Sequence, residues 1–184
     1  MFDIVNAMKS MEILLRAAGK LKTVIRSGWI RKNIKDPESV AEHSYRTALT
    51  AYLLADEGVD REKVLLMGLI HDLAEAEVGD ITLHDGISPE EKETQERLAF
   101  EKLAQAAGRD DLLKLWHEYE AQNTPEALLV KDADMIEVIM QALEYEEAQG
   151  ADLQEFWNNV RPNLKSPKAR EFFAHLERQR MGPL

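Results

Sequence analysis

Three places in the chain put metal-ligating or acid–base side chains where a helical pattern calls for apolar ones. His43 shares its helical face with Val40 and Thr47, at i−3 and i+4, the side that turns inward. His71-Asp72 follows directly on the apolar run Val64 to Ile70, and Glu75 lies four residues after His71 and three after Asp72, so these side chains can converge on one patch. Asp134 lies one turn from both Val130 and Val138, whereas Asp132 is turned about 200° away and is expected to face solvent. Charge gathered at the end of an apolar helix is costly unless it is paired or bound to metal. Together His43, His71, Asp72 and Asp134 offer two imidazoles and two carboxylates, a mixed nitrogen and oxygen set suited to Mn, Fe, Co, Zn or Mg. The competing structural readings are a satisfied core histidine at His43 and a buried ion-pair network around His71.

Helices must position these groups, and their start signals are strong. Ser88-Pro89-Glu90-Glu91 offers a capping hydroxyl, a proline at N1 and a glutamate at N3, so a helix is predicted from there to about Ala107. Thr124-Pro125 repeats the device before a long pattern ending near Gly150, and Ser166-Pro167 does so before the last helix. Ile4, Ala7, Met11, Leu14 and Leu15 sit at helical spacing between about Asp3 and Ala18. A helix from about Ser39 is stopped by Gly58, and Asp60 caps the next, whose Val64 to Ile70 run is apolar on nearly every face and is read as crossing the core. Further helices are predicted over about Asp110 to Gln122 and Asp152 to Val160. No stretch sustains period-two alternation with β-branched residues. The prediction is an all-α fold of seven or eight helices, one domain over residues 1–184.

Composition narrows the functions. A chain of 184 residues is about one average domain. With 23 basic against 34 acidic residues the net charge is −11, which argues against a nucleic-acid polymer as partner, since that needs a basic footprint. A small anionic substrate needs only a local positive site or a metal. The absence of cysteine excludes a disulfide framework, a thiolate nucleophile and a Cys-ligated zinc, which leaves His, Asp and Glu for catalysis. The first thirty residues carry no signal-like apolar run, and nowhere are there about 18 consecutive apolar residues, so a soluble cytoplasmic protein with no membrane partner is expected.

A lone His, an adjacent His-Asp pair and a distant Asp, in that order on helices, resemble the HD-domain metal-dependent phosphohydrolases. The resemblance tightens over Glu38-Ser39-Val40-Ala41-Glu42-His43-Ser44, over Ile70-His71-Asp72-Leu73-Ala74-Glu75 through Asp80, and over Leu129-Val130-Lys131-Asp132-Ala133-Asp134. These segments look like the 5'-deoxynucleotidase branch of that family across roughly residues 8 to 150, with the C-terminal helices peripheral.

The resemblance implies a single HD-domain helical fold in which His43, His71, Asp72 and Asp134 bind one divalent cation per subunit, with Co, Mn, Mg and Zn all open. It implies that Glu75 and Asp80 support water activation and phosphate-ester cleavage, and that Arg26 and Trp29 meet the substrate. Arg26-Ser27-Gly28-Trp29 departs from the adjacent Arg-Trp pair of the bacterial members and resembles the spaced form of the human-like branch. Glu118 carries over to the sugar pocket. The implied reaction is hydrolysis of a deoxyribonucleoside 5'-monophosphate to deoxynucleoside and phosphate, in a homodimer. Competing readings are an HD phosphohydrolase acting on triphosphates, cyclic nucleotides or signalling nucleotides, and a nucleotide-binding protein without catalysis. Arg31, Lys32 and Lys35 are read as solvated surface, His84 and Asp85 as an exposed loop, His117 as a pocket candidate and His175 as peripheral. The first helix's stripe of Ala7, Met8, Met11 and Leu15 is read as core or subunit contact.

Overall fold

The computed structural model describes residues 2–82 and 85–182, so His84 lies outside the described residues. The order is α1 (Phe2–Lys20), a 3₁₀ turn (Leu21–Thr23), α2 (Ser27–Arg31), α3 (Val40–Leu54), α4 (Arg61–Ile70), α5 (Glu75–Val78), α6 (Pro89–Ala107), α7 (Asp110–Ala121), α8 (Pro125–Gln149), α9 (Gln154–Val160) and α10 (Pro167–Arg180). No strand is present among the described residues; one isolated antiparallel bridge joins Ile25 to Ser39.

The capping residues act where their chemistry predicts. Ser88 and Glu91 close a reciprocal capping box at α6, while the Thr124 and Ser166 hydroxyls and the Asp60 carboxylate each accept the backbone N–H three residues on. Ser39 and Glu42 form a second capping box at α3, which fixes the first turn of the helix that carries His43. Gly150 ends α8 with φ +66°, a left-handed conformation open to glycine at little cost.

The 25-residue α8 is the central strut, packed against α3, α4, α7, α9 and α10. Its Ala127, Val130, Ala133, Ile136 and Ile139 are fully buried; each step of three drifts about 60° around the axis, so the core wraps most of the helix. Helices α3 and α4 approach tightly at Gly68, where a Cβ would lie 2.7 Å from Ala48 Cα. That approach brings the start of α3 and the end of α4 together, and these are the places that carry His43 and His71.

Several expectations are corrected. Trp157, Val160, Leu164, Ala169, Phe173 and Leu176 belong to the largest apolar cluster, so the C-terminal helices are built into the core rather than peripheral to it. Val64, Met67 and Ile70 of α4 are buried, but Leu66 and Leu69 are exposed, so α4 lies at the edge of the core and does not cross it. Asp132 is fully buried, accepting the backbone N–H groups of Lys165 at 2.8 Å and Ser166 at 2.6 Å. Its carboxylate ties the entry of α10 to α8, which explains burial on the face expected to meet solvent. The helix after Ser39 ends at Leu54, before Gly58, because Ala55 is already extended.

Candidate active site

Four elements deliver the cluster. His43 sits in the first turns of α3, His71 ends α4, Asp72 lies in the turn that follows, and Asp134 projects from the middle of α8. His43 Nε2 is 3.2 Å from Asp134 Oδ1 and 3.6 Å from Asp72 Oδ2, and His71 Nε2 is 3.2 Å from the same Asp72 oxygen. Ligating atoms of His43, His71 and Asp72 all lie within 4.8 Å of one another, close enough to share one ion.

Each imidazole is oriented from behind. His71 Nδ1 donates to the Gly68 carbonyl at 2.8 Å, which turns Nε2 toward Asp72, where it is buried and makes no hydrogen bond. His43 Nδ1 lies 2.5 Å from Glu137 Oε2, and that carboxylate is fully buried. Glu137 escaped the sequence reading, although an acid three residues after Asp134, beside the buried Ile136, was a visible anomaly on the inward face. A buried imidazole nitrogen that makes no hydrogen bond, the Asp72 carboxylate 3.2 Å from it, the Asp134 carboxylate beside His43 and acceptors behind both rings fit a divalent cation. Burial and Arg26 oppose charge on His43, but Glu137 and Asp134 outweigh them and raise its pKa from 6.5 to about 10. Asp72 and Asp134 are held below the usual carboxylate range: burial works the other way, but His71 and Arg26 outweigh it at Asp72, and Lys131 and His43 do so at Asp134.

Glu75 opens α5, one turn beyond His71, with its Oε2 buried and without a partner. Burial first, then the neighbouring Asp72 and Asp80, push its pKa well above the usual value against the pull of Arg26 and Lys92. Asp80 follows Gly79, whose φ of +81° turns the chain back toward α2. Asp80 Oδ2 accepts the Ser27 backbone N–H at 2.5 Å, and Ser27 Oγ donates to the Asp80 carbonyl at 2.6 Å. These two bonds hold α2 against the loop after α5.

Arg26 is positioned by the bridge before α2, its backbone N–H donating to the Glu38 carbonyl at 3.1 Å. Its guanidinium stands 3.4 Å from Asp80 and 3.5 Å from Asp72, facing a cavity of about 310 Å³ that Glu75, Lys92, Lys131 and Asp134 also line. Trp29 lines the same cavity but is a core indole, donating to Glu38 Oε1 at 2.8 Å and packing on Phe156 and Tyr145. A second cavity of about 340 Å³ adjoins it through Asp72, Glu75, Lys92 and Lys131. Glu118 lines neither; it is held by Lys63 and by the Thr124 hydroxyl on the other side of α7. His117 and His175 are exposed beside Trp116 and Phe172, and Arg31 and Lys32 pair with Glu155. The Lys35 backbone N–H donates to Gln149, and Asp85 accepts from Thr82.

Comparison with known proteins decides the family: the HD-domain profile matches residues 18–173. The chain belongs to the HD-domain family. The 5'-deoxynucleotidase HDDC2 of Xenopus laevis is 40% identical to this HD domain over 168 residues, covering 89% of this chain and 84% of that protein. Human 5'-deoxynucleotidase HDDC2 is 37% identical over 180 residues, covering 95% and 88%. Among solved structures, a conserved hypothetical protein from Pyrococcus furiosus superposes with a TM-score of 0.77 at 37% identity over 90% of this chain and 98% of that one. A predicted metal-dependent phosphohydrolase from Magnetospirillum magnetotacticum gives 0.72 at 27% identity over 96% of both. The His-Asp pair of this HD domain is His71-Asp72, at the junction of α4 and the turn before α5. No described helix is long and apolar enough to cross a membrane.

Proposed function

We propose that the protein is a 5'-deoxynucleotidase, cleaving deoxyribonucleoside 5'-monophosphates to deoxynucleoside and inorganic phosphate. The observation that carries this reading is a pair of buried atoms that make no hydrogen bond, His71 Nε2 and Glu75 Oε2, four residues apart: both residues line one cavity, and Glu75 also lines the adjoining cavity that Arg26 faces. The names of the relatives at 37–40% identity point the same way.

His43, His71, Asp72 and Asp134 would hold the cation. A divalent ion there supplies Lewis acidity toward water and toward the phosphoryl oxygens. Arg26 binds the phosphate, and with Lys92 and Lys131 on the same cavity wall it offsets locally a net charge of −11 that opposes a dianionic substrate. Glu75 handles the proton: a carboxyl whose affinity for protons is raised can exchange one with the attacking water or the departing 5' oxygen. As the water oxygen bonds to phosphorus, the bond to the 5' oxygen breaks and that oxygen leaves with a proton. Asp80 positions Arg26 and the start of α2 through its two bonds to Ser27. Trp29 forms a wall of the pocket, its indole fixed by Glu38.

The proposal includes one working domain over residues 1–184, one cation per chain drawn from Co, Mn, Mg or Zn, a cytoplasmic location, and a homodimer. Support for the dimer comes from α1, whose Leu14 and Ala17 pack inward while Ile4, Val5, Met8, Met11 and Leu15 are exposed as an apolar face.

The test is phosphate release by metal-stripped protein reloaded separately with each cation. Substrates are paired ribo- and deoxyribo-monophosphates, a triphosphate and a cyclic nucleotide. Release restored by metal and favouring deoxyribo-monophosphates is expected. Preference for the triphosphate or cyclic nucleotide would move the protein to another HD phosphohydrolase activity, and no release despite bound metal would leave a binding role.

A further inference from the structure

The two imidazoles are braced unequally. His71 leans on a neutral carbonyl, but His43 leans on Glu137, and Glu137 is itself gripped from the far side. Its other oxygen accepts from Arg46 Nε at 2.9 Å, and Arg46 in turn donates to Gln141 at 2.7 Å and to both oxygens of Glu144 at 2.8 Å. Asp134, Glu137, Gln141 and Glu144 recur along α8 at spacings of three and four, opposite His43 and Arg46, three apart on α3. The seam between the two helices is therefore a polar ladder running from the protein surface to the cation cluster.

A fully buried carboxylate is a poor device for holding two helices together, because well-packed apolar residues of similar volume serve equally well. Glu137 also has little capacity left to act as a ligand: one oxygen is on His43 and the other on Arg46.

We infer that Glu137 is a positioning residue for the cation centre, which fixes the ring plane and the Nδ1–H form of His43 so that Nε2 faces Asp72 and Asp134, with Arg46 holding Glu137 in place. This rests on the cation site proposed above and adds to it a carboxylate–imidazole–metal relay on one histidine only. Ionic backing from a carboxylate makes the imidazole a stronger donor than a carbonyl does, and loss of such a partner typically weakens metal binding about 10–100-fold.

The experiment is calorimetric titration of metal-stripped wild-type, Glu137→Gln and Arg46→Met proteins with Mn²⁺, alongside kcat and KM for a deoxyribonucleoside monophosphate at saturating Mn²⁺. The amide variant keeps the shape of Glu137 and removes its charge. Wild type should bind one equivalent, Glu137→Gln should bind about 10–100-fold more weakly, and Arg46→Met should show a smaller loss in the same direction. KM should stay within about twofold, because neither side chain lines the cavities at Arg26 and Glu75. Mn²⁺ binding by folded Glu137→Gln equal to wild type overturns the inference and leaves the cation site intact. Loss of a second equivalent in that variant, with the first unchanged, also overturns it, since Glu137 would then be a ligand. No binding by wild type removes the cation site and this inference together. Where Glu137→Gln does not fold, unchanged affinity in Arg46→Met overturns the relay.

Discussion

Asp132 and Asp134 stand two residues apart on α8, both shielded from solvent, and they do opposite work. Asp132 spends both oxygens on backbone N–H groups of the segment entering α10, a closed arrangement with no ionisable partner among its hydrogen bonds. Asp134 faces His43, Lys131 and the hydroxyl of Tyr119, groups that gain or lose protons or can yield to a cation. Burial alone therefore does not mark a functional acid. The partners do: a carboxylate satisfied by fixed amides is an anchor, and one set among titratable groups belongs to chemistry.

The largest effect should come from breaking the reactive side. His71→Ala removes the buried imidazole nitrogen that faces Asp72, and turnover should fall by more than about 10³-fold with metal content lost, as a metal-catalysed step requires. Phosphate release and metal analysis check both, and wild-type occupancy with wild-type turnover would erase the contrast with Asp132. Glu75→Ala should keep the fold and bound metal while turnover drops about 10²- to 10⁴-fold, the range for a lost proton-transfer group. Circular dichroism and metal analysis beside kcat separate the two readings, and wild-type rates would return Glu75 to a structural role.

Asp132→Ala should give the reverse signature. Two charge-assisted bonds to backbone are lost, so stability should fall by about 2–4 kcal/mol, read by urea denaturation, while kcat per folded molecule and metal content stay near wild type. The smallest effect is expected at Glu38, beside Trp29. Burial and the neighbouring Glu137 raise its pKa from 4.5 to about 7. The folded protein thus holds this proton more tightly than the unfolded chain, and the group's contribution is fully present below about 4.5 and lost as pH rises to 7. Glu38→Gln should flatten that slope and, above pH 7, exceed wild type by about 1–3 kcal/mol in denaturant titrations. An unchanged pH slope would show that Glu38 carries no such burden.

Much of this was legible in the sequence, for identifiable reasons. Caps such as Ser88, Thr124 and Ser166 announce helices through local chemistry, and the cluster showed itself as polar residues on inward faces. Asp132 did not, because its burial depends on residues 165 and 166, more than thirty positions away. Glu137 stood as an acid on the inward face of α8, but its role comes from pairing with His43 and Arg46 on α3, which helical periodicity within either segment does not reveal. The single-turn helices α2 and α5 were missed because a few residues carry no period, yet they bracket the cavity and present Arg26 and Glu75. Glu118 carried over by position in the chain, but the fold turns it toward Lys63.

The contact between Gly68 and Ala48 has a consequence beyond packing. His71 donates its Nδ1 hydrogen to the carbonyl of that same glycine, so the residue that fixes the approach of the two helices also orients the His71 ring. The two imidazole ring centroids lie 5.4 Å apart, so a methyl group added at Gly68, which would push its backbone away from Ala48, would also shift the His71 ring relative to His43.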